Sequence, residues 1–195
     1  MTQVVLASSN PGKLAEFRAL LADSGFELVP QHELGVDDAA ETGVTFVENA
    51  LLKARHAARA TGLPALADDS GLCVAALHGA PGLYSARYAG RHGDNAANNI
   101  KLLQQMQGVP EAQRGAFFIC VLVLLQHAED PAPIIVEGRW HGRVLDAPRG
   151  AHGFGYDPLF LPDGQTVSSA ELAAEVKNHL SHRGQALRRL REQLG

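Results

Sequence analysis

Apolar residues along this chain fall into short continuous runs and into stripes spaced three and four apart, and the two patterns take turns. Gln3 to Ala7 is continuous and predicts a buried strand. Leu14, Phe17 and Leu21 recur at helical spacing and predict a helix from Lys13 to Ser24, after which Phe26 to Pro30 predicts a second strand. Thr45 and Glu48 have the spacing of a capping box, and Val47, Ala50, Leu51, Ala54 and Ala58 form one stripe of a helix that stops near Gly62. Pro64 to Ala67 predicts a short strand running into the turn-like "DDSG", with another strand over Leu72 to Leu77. "GAPGLYSARYAG" reads as a loop, and Asn95 to Gln107 as a helix. "AFFICVLVLL" suits a central strand covered on both faces, with Ile134 to Leu145 as its partner. A glycine-rich loop, Gly150 to Gly155, precedes two helices, around Glu171 to His179 and over His182 to Leu194. Strands alternate with helices before two long strands follow one another, which predicts an α/β fold with a mixed sheet. No internal repeat interrupts this order.

Two helix beginnings carry the wrong charge. With Asn10 as N-cap and Pro11 at the first helical position, Lys13 sits in the first turn of "SSNPGKLAEF", where the macrodipole disfavours a cation by roughly 0.3–1 kcal/mol. It is either a tolerated surface lysine or half of an anion site shared with the free amides of that turn. "SHRGQALRRL" repeats the anomaly, with Ser181 in the cap position and His182 and Arg183 in the first turn. Two such starts in one chain point to an electron-rich ligand.

Composition narrows the ligand. At 195 residues the chain suits one sizeable domain, and 17 basic against 21 acidic residues give a net charge of −4. No global basic field invites nucleic acid or an anionic membrane, so an anion must be met locally. The longest apolar run, Ala116 to Leu125, is about half the ~20 residues that a membrane-spanning helix needs. "MTQVVLASSN" lacks the basic start and apolar segment of an export signal, and the two cysteines, Cys73 and Cys120, suit a reducing cytoplasm.

Asp68 and Asp69 end a predicted strand, where open α/β sheets place their ligands. Adjacent carboxylates repel, and a bound divalent cation would relieve them; Asp-Asp-Ser-Gly is equally good turn chemistry. Glu41 offers a third oxygen ligand from a polar loop. Magnesium suits such a set because it takes one or two carboxylates and completes its shell with water and phosphate oxygens. Lys13 and Lys53, the latter in "ENALLKAR", would then meet the phosphate. Familiar phosphate signatures do not apply. "SSNPGKL" lacks the Ser or Thr after lysine that a P-loop needs, and "GFGYDP" has Pro158 where a dinucleotide fingerprint needs glycine. Phe154 in "GFGYDP" is either a plug under its loop or a ring that stacks on a base.

Taken in order, "SSNPGK", "ETGVTFVENALLKAR", "ADDSG", "GAPGLYSARYAG", "GFGYDPLF", "AEL" with Lys177, and "SHRGQAL" resemble the inosine/xanthosine triphosphate pyrophosphatase family from about Gln3 to Leu190. Ala75 departs from the pattern, since many relatives carry an acid after "DDSG". The resemblance implies a single domain over residues 1–195, two-lobed, with a long mixed β-sheet flanked by helices and an active-site cleft between the lobes. It implies a cytoplasmic homodimer that hydrolyses deaminated purine nucleoside triphosphates to monophosphate and pyrophosphate with Mg2+. Ser8, Ser9, Asn10, Pro11, Gly12 and Lys13 would hold the triphosphate, with Lys53 in support. Glu41 and Asp69, with Asp68, would hold the metal, and Asp69 would also be the proton acceptor. Ser70, Phe154, Gly155, Tyr156, Asp157, Lys177, His182 and Arg183 would line the nucleotide, Phe154 against the base. A nucleotide sensor without hydrolysis, or a pyrophosphatase of different base preference, is the alternative.

Overall fold

Strand β1 (Thr2–Ala7) is paired in parallel with β2 (Phe26–Pro30) and with β3 (Ala65–Val74), and six strands form one sheet in the order β2-β1-β3-β4-β5-β6. The remaining strands are β4 (Gly115–Leu125), β5 (Ile134–Val144) and β6 (Phe160–Pro162), the last antiparallel to β5. Among the described residues five α-helices accompany them: α1 (Pro11–Leu20), α2 (Phe46–Thr61), α3 (Asn95–Gln105), α4 (Ala174–Leu180) and α5 (His182–Leu194). This computed structural model describes residues 2–22 and 25–194. Among them no helix is long and apolar enough to cross a membrane.

The chain divides into two compact units. The first comprises 1–69, 120–138 and 183–195. Its core joins Val4 and Leu6 of β1, Leu66 of β3, Cys120, Leu122 and Leu124 of β4, Phe17 of α1, and Ala186, Leu187 and Leu190 of α5. On α2 the buried residues are Asn49, Ala50, Ala54, Ala57 and Ala58, a stripe of small side chains that lets a helix lie close to a sheet. The predicted stripe is therefore rotated, with Val47 and Leu51 only half-buried and Asn49 turned inward.

The second unit comprises 70–119 and 139–182. Its core gathers Leu72 and Val74, Leu102 of α3 and Met106 just after it, Phe118, Trp140, Tyr156 and Phe160. Phe160 is edge-on to both Phe118 and Trp140. β6 was not anticipated from the sequence; it packs where Gly142 faces Pro162, and a Cβ on Gly142 would come within 2.4 Å of the Leu161 carbonyl oxygen.

Three expectations need correction. "DDSG" is not a turn between two strands, because β3 runs through it without a break. The turn propensity of Asp, Ser and Gly is overridden by burial against cations, described below. The first helix ends at Leu20, and the predicted end at Ser24 lies outside the described residues. The helix expected from Glu171 begins only at Ala174. Glu171 instead closes a short turn with Ser168, its Oε2 accepting from the Ser168 amide at 2.7 Å, after which Leu172 is extended.

Candidate functional site

The register of β1 on β3 sets Ala7 beside Ala67, so the loop that leaves β1 starts next to Asp68. That loop is well fastened. Asn10 Oδ1 accepts from the Lys13 amide at 3.1 Å as N-cap, with Pro11 at the first helical position as expected. Ser8 is buried and its Oγ accepts from the Asn10 amide at 3.4 Å, while Ser9 Oγ donates to Asp38 at 2.7 Å. Gln31 holds the other Asp38 oxygen.

Because successive strand residues point to opposite faces, Asp68 and Asp69 enter different surroundings. Asp68 shares the face of Leu66, toward α1 and α5. Its Oδ2 lies 2.8 Å from Lys13 Nζ and 3.6 Å from Arg183 Nη2, and the Asp68 side chain has no exposed surface. Arg183, itself buried, also forms an ion pair with Glu16 of α1. The cation at each anomalous helix start is thus matched by a protein carboxylate.

Asp69 faces α2. Lys53 Nζ lies 2.9 Å from Asp69 Oδ1 and 3.1 Å from Glu41 Oε1, so one ammonium joins the two carboxylates. Asn49 Nδ2 stands 3.4 Å from Asp69 Oδ2. The same Asn49 accepts the Gly43 amide at 2.8 Å, and Glu48 Oε2 accepts the Val44 amide at 2.8 Å. These two bonds tie the segment that bears Glu41 to the first turn of α2. A side chain at Gly43 would meet Asn49 Oδ1 at 2.7 Å.

The two aspartates are driven apart in acidity. Burial alone would raise the Asp68 carboxyl, but the charges of Lys13, Arg183 and Lys53 outweigh it and hold the group well below the usual carboxylate range. For Asp69 burial wins over Lys53 and Lys13, and its carboxyl is pushed up. Burial would lower the Lys53 ammonium, yet Asp69, Asp68 and Glu41 raise it above an ordinary lysine. Adjacent carboxyls pushed in opposite directions are the arrangement from which divided acid–base roles are built.

A second group lies in the other unit, around Asp157. Its Oδ2 accepts from Lys177 Nζ at 2.7 Å and from the Phe154 amide at 2.8 Å, and its Oδ1 accepts from Ser169 Oγ at 2.8 Å. Lys177 Nζ stands 5.0 Å from the centroid of the Phe154 ring. The Gly155 carbonyl accepts from Asn99 at 3.0 Å. Tyr156 is buried in the core and its hydroxyl donates to the Ser85 carbonyl at 2.8 Å, so it anchors the loop from beneath. His182 is buried and stacks on Phe118, with ring centroids 4.9 Å apart. Ser70 is the half-buried strand residue directly after Asp69.

The structure thus assembles Ser8 to Lys13, Glu41, Lys53, Asp68, Asp69 and Arg183 within one unit, and Phe154, Asp157 and Lys177 within the other. Among the described residues no three His, Cys, Asp or Glu side chains form a ready metal cluster. Asp68 is committed to Lys13 and Arg183, which leaves Glu41 and Asp69 as the carboxylate pair. One or two hard carboxylate oxygens are what magnesium ordinarily takes from protein, so Glu41 and Asp69 could hold such an ion. Sequence reasoning missed Glu16, Asn49 and Ser169. Glu16 carried a signal, being an acid one turn from Lys13; Asn49 and Ser169 carried none beyond polarity inside or beside otherwise apolar segments.

The chain belongs to the Ham1 family, whose model matches residues 4–193. It is 59% identical to the dITP/XTP pyrophosphatase of Burkholderia pseudomallei, over 100% of this chain and 94% of that protein. The dITP/XTP pyrophosphatase of Vibrio cholerae is 56% identical over 97% of this chain and 95% of its own length. Among solved structures, a HAM1 protein from Coxiella burnetii superposes with a TM-score of 0.92 at 50% identity, covering 100% of this chain and 98% of that one. The Staphylococcus aureus Ham1 protein follows with 0.87 at 38% identity, covering 99% and 98%.

Proposed function

We propose that this protein hydrolyses the deaminated purine nucleoside triphosphates ITP, dITP and XTP to the nucleoside monophosphate and pyrophosphate, keeping these bases out of DNA and RNA. The carrying observation is the split between the adjacent aspartates: Asp68 locked by Lys13 and Arg183, Asp69 held with Glu41 on Lys53. Lys13, Lys53 and Arg183 face Glu16, Glu41, Asp68 and Asp69, so the group is net negative and does not by itself attract a triphosphate. Glu41 and Asp69 would hold Mg2+, which when bound neutralises phosphate charge.

Asp69 accepts the proton of the attacking water. Attack falls on the α-phosphorus, the bond to the bridging oxygen breaks, and pyrophosphate leaves with that oxygen. Lys13 and Lys53 meet its growing charge, with Ser8 to Gly12 fixing the phosphate chain. Positioning and electrostatics of this kind suffice for phosphoryl chemistry, without a protein nucleophile. Phe154 stacks on the base, with Asp157 and Lys177 setting its ring. Ser70, Gly155, His182 and Arg183 belong to the nucleotide's surroundings, and Tyr156 supports their loop. Hypoxanthine and xanthine carry an acceptor oxygen at C6 where adenine carries a donor amine, so donors placed there reject adenine by leaving polar groups unmatched. A cytoplasmic homodimer, acting as a single domain over residues 1–195, is supported by the family resemblance.

Hydrolysis of ITP in 18O-labelled water tests the bond cleaved. The label should appear in inosine monophosphate alone. Label in the released pyrophosphate, or release of single phosphate, would contradict attack at the α-phosphorus.

A further inference from the structure

Lys53 spends two of its three ammonium donors on the two carboxylates assigned to the metal, at 3.1 Å from Glu41 and 2.9 Å from Asp69. We propose that Lys53 is a resident counter-cation for this pair, so that the protein takes its divalent ion together with the nucleotide and not ahead of it. The inference rests on the reading of Glu41 and Asp69 as metal ligands.

Its physics is competition between cations. A free divalent ion reaching Glu41 and Asp69 meets carboxylate charge that one ammonium already half offsets, where the Lys53 and Asp69 side chains are only 14% and 10% exposed. Repulsion between ion and ammonium is strong at such burial. A polyphosphate changes the balance, since its oxygens give Lys53 another anion within reach of a flexible four-carbon stem. The carboxylates need not move to be freed. The segment of Glu41 is fastened by Asn49 and Glu48, and Asp69 lies within a strand beside Asn49. Asp68 contrasts with them. Its partners, Lys13 and Arg183, leave it no role that requires release.

Binding of Mn2+ alone, read from the paramagnetic resonance of the free ion, tests this without turnover. Wild type should bind Mn2+ weakly, and on the order of tenfold or more tightly once the α,β-imido analogue of ITP is present. Lys53→Met should bind Mn2+ alone at least about tenfold more tightly than wild type, whereas Lys53→Arg, which keeps the charge, should stay weak. Lys53→Gln serves as a second neutral variant should the methionine protein lose its circular dichroism spectrum. Equal Mn2+ affinity in wild type and the neutral variants, or tight binding of Mn2+ alone by wild type, would overturn the counter-cation role. Glu41→Gln, measured with the analogue present, separates the two levels: unchanged Mn2+ affinity there would overturn the ligand assignment itself.

Discussion

Lys13 of α1 and Asp68 of β3 form an ion pair of 2.8 Å at a fully buried carboxylate. The pair accounts for a lysine at a helix start, because Asp68 supplies the negative charge that the first turn of α1 would otherwise seek from a ligand. Arg183 repeats the arrangement from the start of α5, reaching both Asp68 and Glu16. Removing the shared carboxylate should therefore be costly. Asp68→Asn leaves buried Arg183 with Glu16 alone and takes from half-buried Lys13 its ion-pair partner, and is expected to destabilise the protein by roughly 3–5 kcal/mol, read from urea unfolding. A loss under about 1 kcal/mol would mean the three groups are not a unit.

The same carboxylate makes stability depend on pH. Its folded pKa lies below the unfolded value, so the folded state binds that proton less readily. The contribution is complete above about pH 5 and is lost as pH falls through the unfolded carboxylate range toward the lower folded value. Unfolding midpoints measured in EDTA from about pH 6 to pH 3 should fall for wild type, and the curve for Asp68→Asn should be flatter. Parallel curves would assign the acid sensitivity to other groups.

Asp69→Asn separates chemistry from folding. Lys53 keeps Glu41 as a partner in this variant, and Asn49 still faces an amide oxygen at position 69. Turnover of ITP should fall by roughly 10²–10⁴ in kcat while the folded spectrum is retained, as expected for loss of a general base. A kcat within about threefold of wild type would remove Asp69 from that role.

Much of this was legible in the chain, and the gaps have physical reasons. The Asn10–Pro11 start, the Thr45 cap on the Glu48 amide, and the continuous apolar run of β4 are local signals, and each appears, although Glu48 reaches the Val44 amide and the Thr45 hydroxyl. The two ends of β3 were legible but its continuity was not, because turn propensity at "DDSG" is a local preference while its burial against Lys13, Lys53 and Arg183 comes from residues distant in sequence. Lys13 and Arg183 stood out through misplaced charge and Asp68 and Asp69 as adjacent acids at a strand end, whereas Lys53 had no local mark of its own. Asn49 and Ser169 act through hydrogen bonds formed only in the fold, so nothing in their neighbours marks them.

Gly153 should be sensitive for reasons of space. Its φ is +76°, and an added Cβ would approach Asp157 Oδ2 to 2.1 Å, against the oxygen that receives Lys177 and the Phe154 amide. Gly153→Ala is expected to lower kcat/KM for ITP by roughly 10- to 100-fold, the equivalent of one hydrogen bond to a charged group, mainly through KM. Steady-state kinetics decide it. An unchanged KM would detach the Phe154 loop from nucleotide binding.

If Glu41 and Asp69 hold magnesium and the base site reads the C6 oxygen, cleavage must depend on both the divalent ion and the C6 group. Pyrophosphate release from ITP, XTP, GTP and ATP, with Mg2+ and with EDTA, tests it most directly. ITP and XTP should be cleaved with kcat/KM on the order of 10² or more above ATP, and EDTA should abolish release. Equal efficiency across the four nucleotides, or release that persists in EDTA, would contradict it.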